Sequence, residues 1–190
     1  MFLCVVALAG CEAQASSPVK LAPAGEVQSV AIDTPRSPRD ERRLPLAELR
    51  GLLTTKPGDL IDEAKLEADR SALREALVAR GFLAATVSAP SITTGKNGGA
   101  YVVFDVERGP MFHLRSITVT GPGESNAHVV RLSAGDEAVR SRIERAQQSL
   151  GEVLANRSTK SRVELRVHED PATASVDVEL ATTEITVLRR

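Results

Sequence analysis

The sequence predicts an α+β chain of two similar units, each a three-stranded sheet with two helices on one face. Three observations carry this. Apolar residues recur at helical spacing in two long stripes. One is Leu66, Leu73, Ala76 and Leu77, with Asp69 on the same face. The other is Val139, Ile143, Ala146, Leu150, Val153 and Leu154. Elsewhere apolar residues alternate with polar ones, at Val102–Phe104–Val106, Val163–Leu165–Val167 and Val176–Val178–Leu180, so one face is buried and the other wet. Finally, the order strand, helix, helix, strand, strand returns after roughly 80 residues.

Val27, Val30 and Ile32 open the first unit as a short strand before Pro35. The stretch 36–43 is polar and rich in Arg and reads as a loop. Leu46, Leu49, Leu52 and Leu53 share a helical face, with Pro45 suited to a first turn. Lys56-Pro57-Gly58-Asp59 is a turn. Asp62 is placed to N-cap the next helix, with Glu63 favourable at its dipole, and Gly81 to terminate it. Leu83, Ala85, Val87 and Ala89 then alternate as a strand. Gly95 to Gly99 reverses the chain into the strand Tyr101 to Val106.

In the second unit, Phe112, Leu114, Ile117 and Val119 form a strand whose phase slips at Arg115-Ser116, as a β-bulge requires. Gly121-Pro122-Gly123 closes it. A short helix is expected at Asn126 to Leu132, followed by the Val139 to Leu154 helix. Two strands joined at Glu169-Asp170-Pro171 complete the unit.

Composition excludes several classes of function. The 190 residues carry 24 Lys+Arg against 25 Asp+Glu, a balance that gives no footing for nucleic acid. Two Cys cannot build a disulfide scaffold. No run of 18 apolar residues exists to cross a membrane as a helix, and the chain is too short for a barrel plus a second domain. Aromatics at 3% with no Trp argue against a surface that stacks sugars or bases.

The N-terminus reads as an address. Residues 1–10, MFLCVVALAG, are apolar and match a signal-peptide core, and Leu8-Ala9-Gly10-Cys11 matches a bacterial lipobox, with Cys11 the lipidated residue. No Lys or Arg precedes the apolar run. The alternative is a buried N-terminal segment with two incidental Cys. Residues 11–25, rich in Ala, Ser and Pro, read as a flexible tether. Glu12 after the Cys favours the outer membrane by the enterobacterial sorting convention.

Catalytic patterns are missing. His113, His128 and His168 lack ligand spacing. Ser71, Ser133 and Ser149 lack a nucleophile elbow, and Gly95-Lys96-Asn97-Gly98-Gly99 lacks the P-loop order. Asp59, Asp62 and Glu63 are better explained by turn and cap roles than as a catalytic carboxylate pair. The expectation is a non-enzymatic chain with no metal and no cofactor.

From Leu46 to Gly121 the sequence resembles a POTRA (polypeptide-transport-associated) domain and its junction to a second one. Lys56-Pro57-Gly58-Asp59, Gly81-Phe82 with Ala84, Ala85 and Val87, Val102 to Val106, Glu107-Arg108-Gly109-Pro110 and Phe112 to Gly121 carry the likeness in order. The resemblance implies tandem POTRA-like units with mixed sheets, at 26–108 and, in degenerate form, 109–184, behind the leader 1–10 and tether 11–25 and before a tail at 185–190. The second unit departs from the pattern: its first helix is short or missing, and Leu154-Ala155-Asn156-Arg157 stands where a Gly-aromatic pair belongs.

Such arrays, in assembly factors of the BamA and TamA type, imply a periplasmic scaffold at the outer membrane. Its partners would be β-barrel proteins or assembly machinery, docked by strand addition. By family topology the docking edge is Leu83, Ala84, Ala85, Thr86, Val87, Ser88 and Ala89, with Pro90 limiting how far pairing runs. The alternative for these small side chains is simple packing beneath the helices. Two alternatives stand for the whole chain: an envelope or cell-division scaffold using the same kind of domain, and a periplasmic enzyme or cell-wall binder on an unrelated α+β fold.

Overall fold

β1 (Val27–Asp33) is the first strand of the computed structural model, which describes residues 25–34, 46–96, 98–155 and 161–184. Cys11, the leader, the tether apart from Gly25, the Arg-rich 36–43 loop, Asn156 and the tail at 185–190 lie outside the described residues. β1 turns Val27 and Ile32 to the core, the change of phase between them absorbed by a register shift between Val27 and Ser29.

α1 (Leu46–Leu52) buries Leu49, and Leu53 just beyond its end is buried with it. α2 (Glu63–Ala79) starts where Asp62 accepts from the amides of Ala64, at 2.9 Å, and Lys65, at 3.2 Å. It buries Leu66, Asp69, Leu73 and Leu77, the stripe its spacing predicts. Its end is a Schellman motif. The Gly81 amide bonds the Val78 carbonyl and the Phe82 amide bonds the Leu77 carbonyl, while Phe82 and Leu77 are both fully buried.

β2 (Thr86–Val87) and β3 (Ser91–Thr94) follow, and both pair antiparallel with β4 (Ala100–Glu107). β4 pairs parallel with β1 on its other side. The third position of the first sheet is therefore filled by two short strands, separated at Ser88 to Pro90 because proline has no amide to give to a ladder.

The second sheet repeats the order. β5 (His113–Thr120) lies parallel to β7 (Ser175–Glu184), and β6 (Ser161–Asp170) lies antiparallel to β7 on the far side. The expected bulge is present between Leu114 and Ser116. In place of a helix at Asn126 to Leu132, a 3-10 helix spans Gly121–Val129, starting directly after β5 with Pro122 in its first turn. α3 (Arg140–Ala155) buries Ile143, Ala146, Leu150 and Leu154.

Two apolar clusters result, one around Leu73, Leu77, Phe82 and Phe104, the other around Phe112, Leu114, Leu150 and Leu180. Three of the four phenylalanines, Phe82, Phe104 and Phe112, are fully buried, each contributing about 2–3 kcal/mol. These three of the five aromatics therefore serve the cores, while Tyr101 is exposed. The clusters exchange residues at the junction: Met111 packs on the first and Leu83 on the second, and the Phe112 amide donates to the Gly81 carbonyl at 2.9 Å.

Candidate functional site

Each sheet has one edge closed by a turn. In the first, the Gly58 amide donates to the Val27 carbonyl at 2.8 Å, and the Val27 amide to the Asp59 carbonyl at 2.7 Å. In the second, the Gly135 amide donates to the Leu114 carbonyl and the Leu114 amide to the Asp136 carbonyl, both at 2.7 Å. The two turns match atom for atom. The Lys56 amide donates to Asp59 Oδ2 at 2.8 Å and the Ser133 amide to Asp136 Oδ2 at 3.0 Å. Lys65 Nζ reaches Asp59 at 2.5 Å, and Arg142, likewise six residues past its aspartate, reaches Asp136 at 2.9 Å. Gly58 at φ +96° and Gly135 at φ +90° occupy the left-handed region that only glycine enters without strain.

This Gly-Asp pair with a cation six residues on is a repeat signature of which the sequence marks only the Lys56-Pro57-Gly58-Asp59 turn of the first copy. It places the second unit closer to the first than its irregular helix and missing Gly-aromatic pair suggest.

The opposite edges carry no neighbouring strand among the described residues. They are β2 with β3 in the first sheet and β6 in the second. Of the edge expected at Leu83 to Ala89, only Thr86 and Val87 lie in a strand. Leu83 and Ala84 form a turn in which the Ala85 amide donates to the Phe82 carbonyl at 3.0 Å, so the chain leaves α2 too tightly to pair there. Ser88 donates its amide to the Asp105 carbonyl at 3.0 Å, and Ala89 and Pro90 break the ladder before it resumes at Ser91. The open strand edge therefore lies further along than expected, and all four residues of β3 are exposed. β6 is longer, with ten residues paired to β7 without a break. Gln147 Nε2 from α3 caps its Val163 carbonyl at 3.0 Å.

The solvent face of the second sheet is charged. Arg115 binds Asp177 through two nitrogens and Asp170 through a third, and the Ser116 hydroxyl donates to Asp177 at 2.6 Å. The Arg115 and Ser116 hydrogen bonds hold the Asp177 carboxyl down to about 2. Asp170 is lowered chiefly by Thr173, and Asp59 chiefly by Lys65. For Asp69, burial pushes upward, but the hydrogen bonds from Thr55 and Thr54 outweigh it and lower the carboxyl.

All four shifts have one sign. The carboxylates add stability that is complete above their unfolded value of about 4 and is lost as pH falls through the folded values. The expected result is a urea midpoint that holds above pH about 5 and falls between about 4 and 2. Asp177→Asn should flatten that fall, and a wild-type midpoint unchanged down to pH about 2 contradicts it. Among the described residues, no three His, Cys, Asp or Glu side chains converge on a metal-sized site.

The architecture, a repeated mixed sheet with one closed and one open edge, defines a class. The family model described as POTRA, surface antigen variable number repeat, matches residues 40–109. No curated protein matches the chain by sequence. Among solved structures, POTRA3-5 of BamA from Haemophilus influenzae superposes with a TM-score of 0.53 at 15% identity, over 87% of this chain and 69% of that one. BamA from Haemophilus ducreyi lacking POTRA domains 1-3 gives 0.57 at 18%, over 84% of this chain and 29% of that one. The N-terminal domain of Omp85 from Thermosynechococcus elongatus gives 0.50 at 18%, over 85% and 63%. Residues 40–109 thus match the POTRA family model, and the chain shares the fold of POTRA repeats.

Proposed function

We propose that this chain is a non-enzymatic periplasmic scaffold that docks partners or unfolded clients by strand addition during outer-membrane protein assembly or secretion. One observation carries the reading. In both sheets the strand beside the inter-helix turn is sealed by main-chain bonds, while the edge on the other side is left open. An extended segment gains main-chain hydrogen bonds at such an edge whatever its sequence, which suits a binder of unfolded chains. The POTRA match and the shared fold with BamA and Omp85 repeats supply the context, and β-barrel proteins or components of their assembly machinery are the partners.

The docking residues of the first unit are Thr86 and Val87 and, beyond Pro90, Ser91 to Thr94. In the second unit they are the β6 backbone. Residues 26–108 and 109–184 act as two repeats, held at the outer membrane by a lipid on Cys11 through the tether 11–25.

A photo-crosslinking residue at Ile92 or Arg162, in cells, should capture barrel precursors or assembly components, whereas one at Glu75 on exposed α2 should not. Equal capture from Glu75, or recovery of septal proteins or peptidoglycan alone, refutes the reading. The anchor is tested separately: Cys11→Ala should move the chain from the membrane fraction to the soluble periplasm.

A further inference from the structure

The β6 edge has a charge pattern that complements itself. Its solvent face carries Arg162, Glu164, Arg166 and His168, and the opposite face carries Val163, Leu165 and Val167. Two copies of a strand paired antiparallel about a central residue bring together positions equally far on either side of that residue. Centred on Leu165, Glu164 of each copy stands opposite Arg166 of the other, giving two ion pairs related by the two-fold axis. On the apolar face, Leu165 meets Leu165 and Val163 meets Val167, and Val167 is 42% exposed in the single chain.

Moving the centre by one residue destroys this. Centring on Glu164 sets Glu164 against itself and Arg162 against Arg166, and centring on Arg166 sets Arg166 against itself. Like charges directly opposite are destabilising and opposite charges stabilising, so the pattern excludes both neighbouring centres. Centring on Val163 also opposes Glu164 and Arg162 but sets Leu165 against Ser161, so charge and apolar matching together favour Leu165.

Within one chain the same groups are loosely engaged. Arg166 lies 3.4 Å from Glu164 and 3.7 Å from Glu179, so re-pairing across a dyad gives up little. Directly opposite Arg162 would stand His168, a pair that adds no attraction. β6 is ten residues long without proline or bulge, the kind of edge that natural proteins cover or interrupt. Gln147 blunts it at one carbonyl, and a second copy would replace that bond with a main-chain amide.

The geometry points to a homodimer in which β6 pairs antiparallel with β6 of a second copy about Leu165. The two three-stranded sheets then join into one sheet running across both molecules. The interface is isologous and uses up both β6 edges, so it closes at two copies and does not extend into a fibre. It rests on the strand's own charges and not on the client reading. A client and a second copy would contend for this edge, leaving β3 as the edge that stays open in the dimer.

The test is a charge exchange on the full chain, followed by sedimentation equilibrium. Wild type should dimerise, and Glu164→Arg or Arg166→Glu alone should each weaken dimerisation by about tenfold or more, since two attractions become repulsions. The double variant should restore it. Mixing the two single variants should give the heterodimer in preference to either homodimer, because one chain then offers two arginines and the other two glutamates. Urea unfolding of each variant at concentrations where wild type is monomeric separates loss of association from loss of fold. A wild type monomeric at about 100 μM overturns the proposal. So do single variants that dimerise as wild type does, a double variant that stays monomeric, or singles that show no preference for each other. An edge occupied only by an added extended peptide, with no self-association, likewise overturns it.

Discussion

Asp69→Ala is expected to lower the unfolding free energy by about 2–4 kcal/mol, read as a fall in urea midpoint at unchanged slope. Asp69 is only 1% exposed, on the face of α2 that packs into the first core. It is tolerated there because both carboxylate oxygens are used. Oδ1 accepts from the Thr54 amide and the Thr54 hydroxyl, each at 2.7 Å, and Oδ2 accepts from the Thr55 amide at 2.9 Å. Alanine leaves the buried Thr55 amide without its partner, while the exposed Thr54 groups turn to water, and the loss is more than that of an average hydrogen bond because the acceptor is charged. Asp69→Asn should cost less, since the amide oxygen still serves one side while its NH2 faces a donor on the other. Glu67→Ala, which removes an exposed pair with Arg70 on the same helix, should cost under about 0.5 kcal/mol. If Asp69→Ala costs no more than Glu67→Ala, the carboxylate is not the anchor described.

The loss has a structural consequence beyond stability. Thr54 and Thr55 lead directly into the Lys56 to Asp59 turn, so the Asp69 carboxylate fastens to α2 the turn that seals the β1 edge. In the variant, the amides of Val27 and Gly58 should exchange with solvent faster than those in the centre of β4.

How much of this was legible in the sequence depended on the range of the interaction. The α2 cap, its buried stripe and its glycine stop are set within a few residues of one another, and each lies where spacing places it. Strict alternation at Val102 to Val106, Val163 to Val167 and Val176 to Leu180 marked strands with one buried face, because a strand packed on one face cannot drift out of phase, but it does not say which of them is central. The bulge after Leu114 was readable for the same reason.

The β2 edge was misplaced because Leu83 and Ala85 alternate as a strand does, while the tight turn that follows Phe82 is fixed by α2 packing. Asp69 was placed on the right face, but its partners are 14 and 15 residues away on another element, and spacing along one helix is silent about them. The Gly135-Asp136 turn was missed for a different reason. Its neighbours, Ser133-Ala134, lack the proline that marks the first copy, and the resemblance lies in hydrogen bonds that begin at the backbone. The open and closed edges emerge only when both turns are seen against the strands they cover.

Arg108→Met should move stability the other way, raising the unfolding free energy by about 1–3 kcal/mol. Arg108 follows β4 directly and keeps its period, so it falls on the same face as Val102, Phe104 and Val106. It is 6% exposed, and its Nε and both Nη atoms are enclosed without a hydrogen-bond partner among the described residues. A guanidinium held out of water with no acceptor forfeits its hydration and gains nothing in exchange, so its burial opposes folding. Methionine keeps an unbranched stem of similar reach, fills irregular space and carries no charge, and thereby removes the penalty without opening a large cavity. Arg70→Met, at an exposed and paired position on α2, serves as the comparison and should change stability by less than about 1 kcal/mol. The sign is decisive. A buried ion whose partner is real becomes strongly destabilising when it is removed, whereas an unpartnered one becomes stabilising. A loss of stability in Arg108→Met comparable to that of Asp69→Ala would mean that the guanidinium is held by an acceptor in solution. A gain means that the junction between β4 and β5 folds in spite of the charge it encloses.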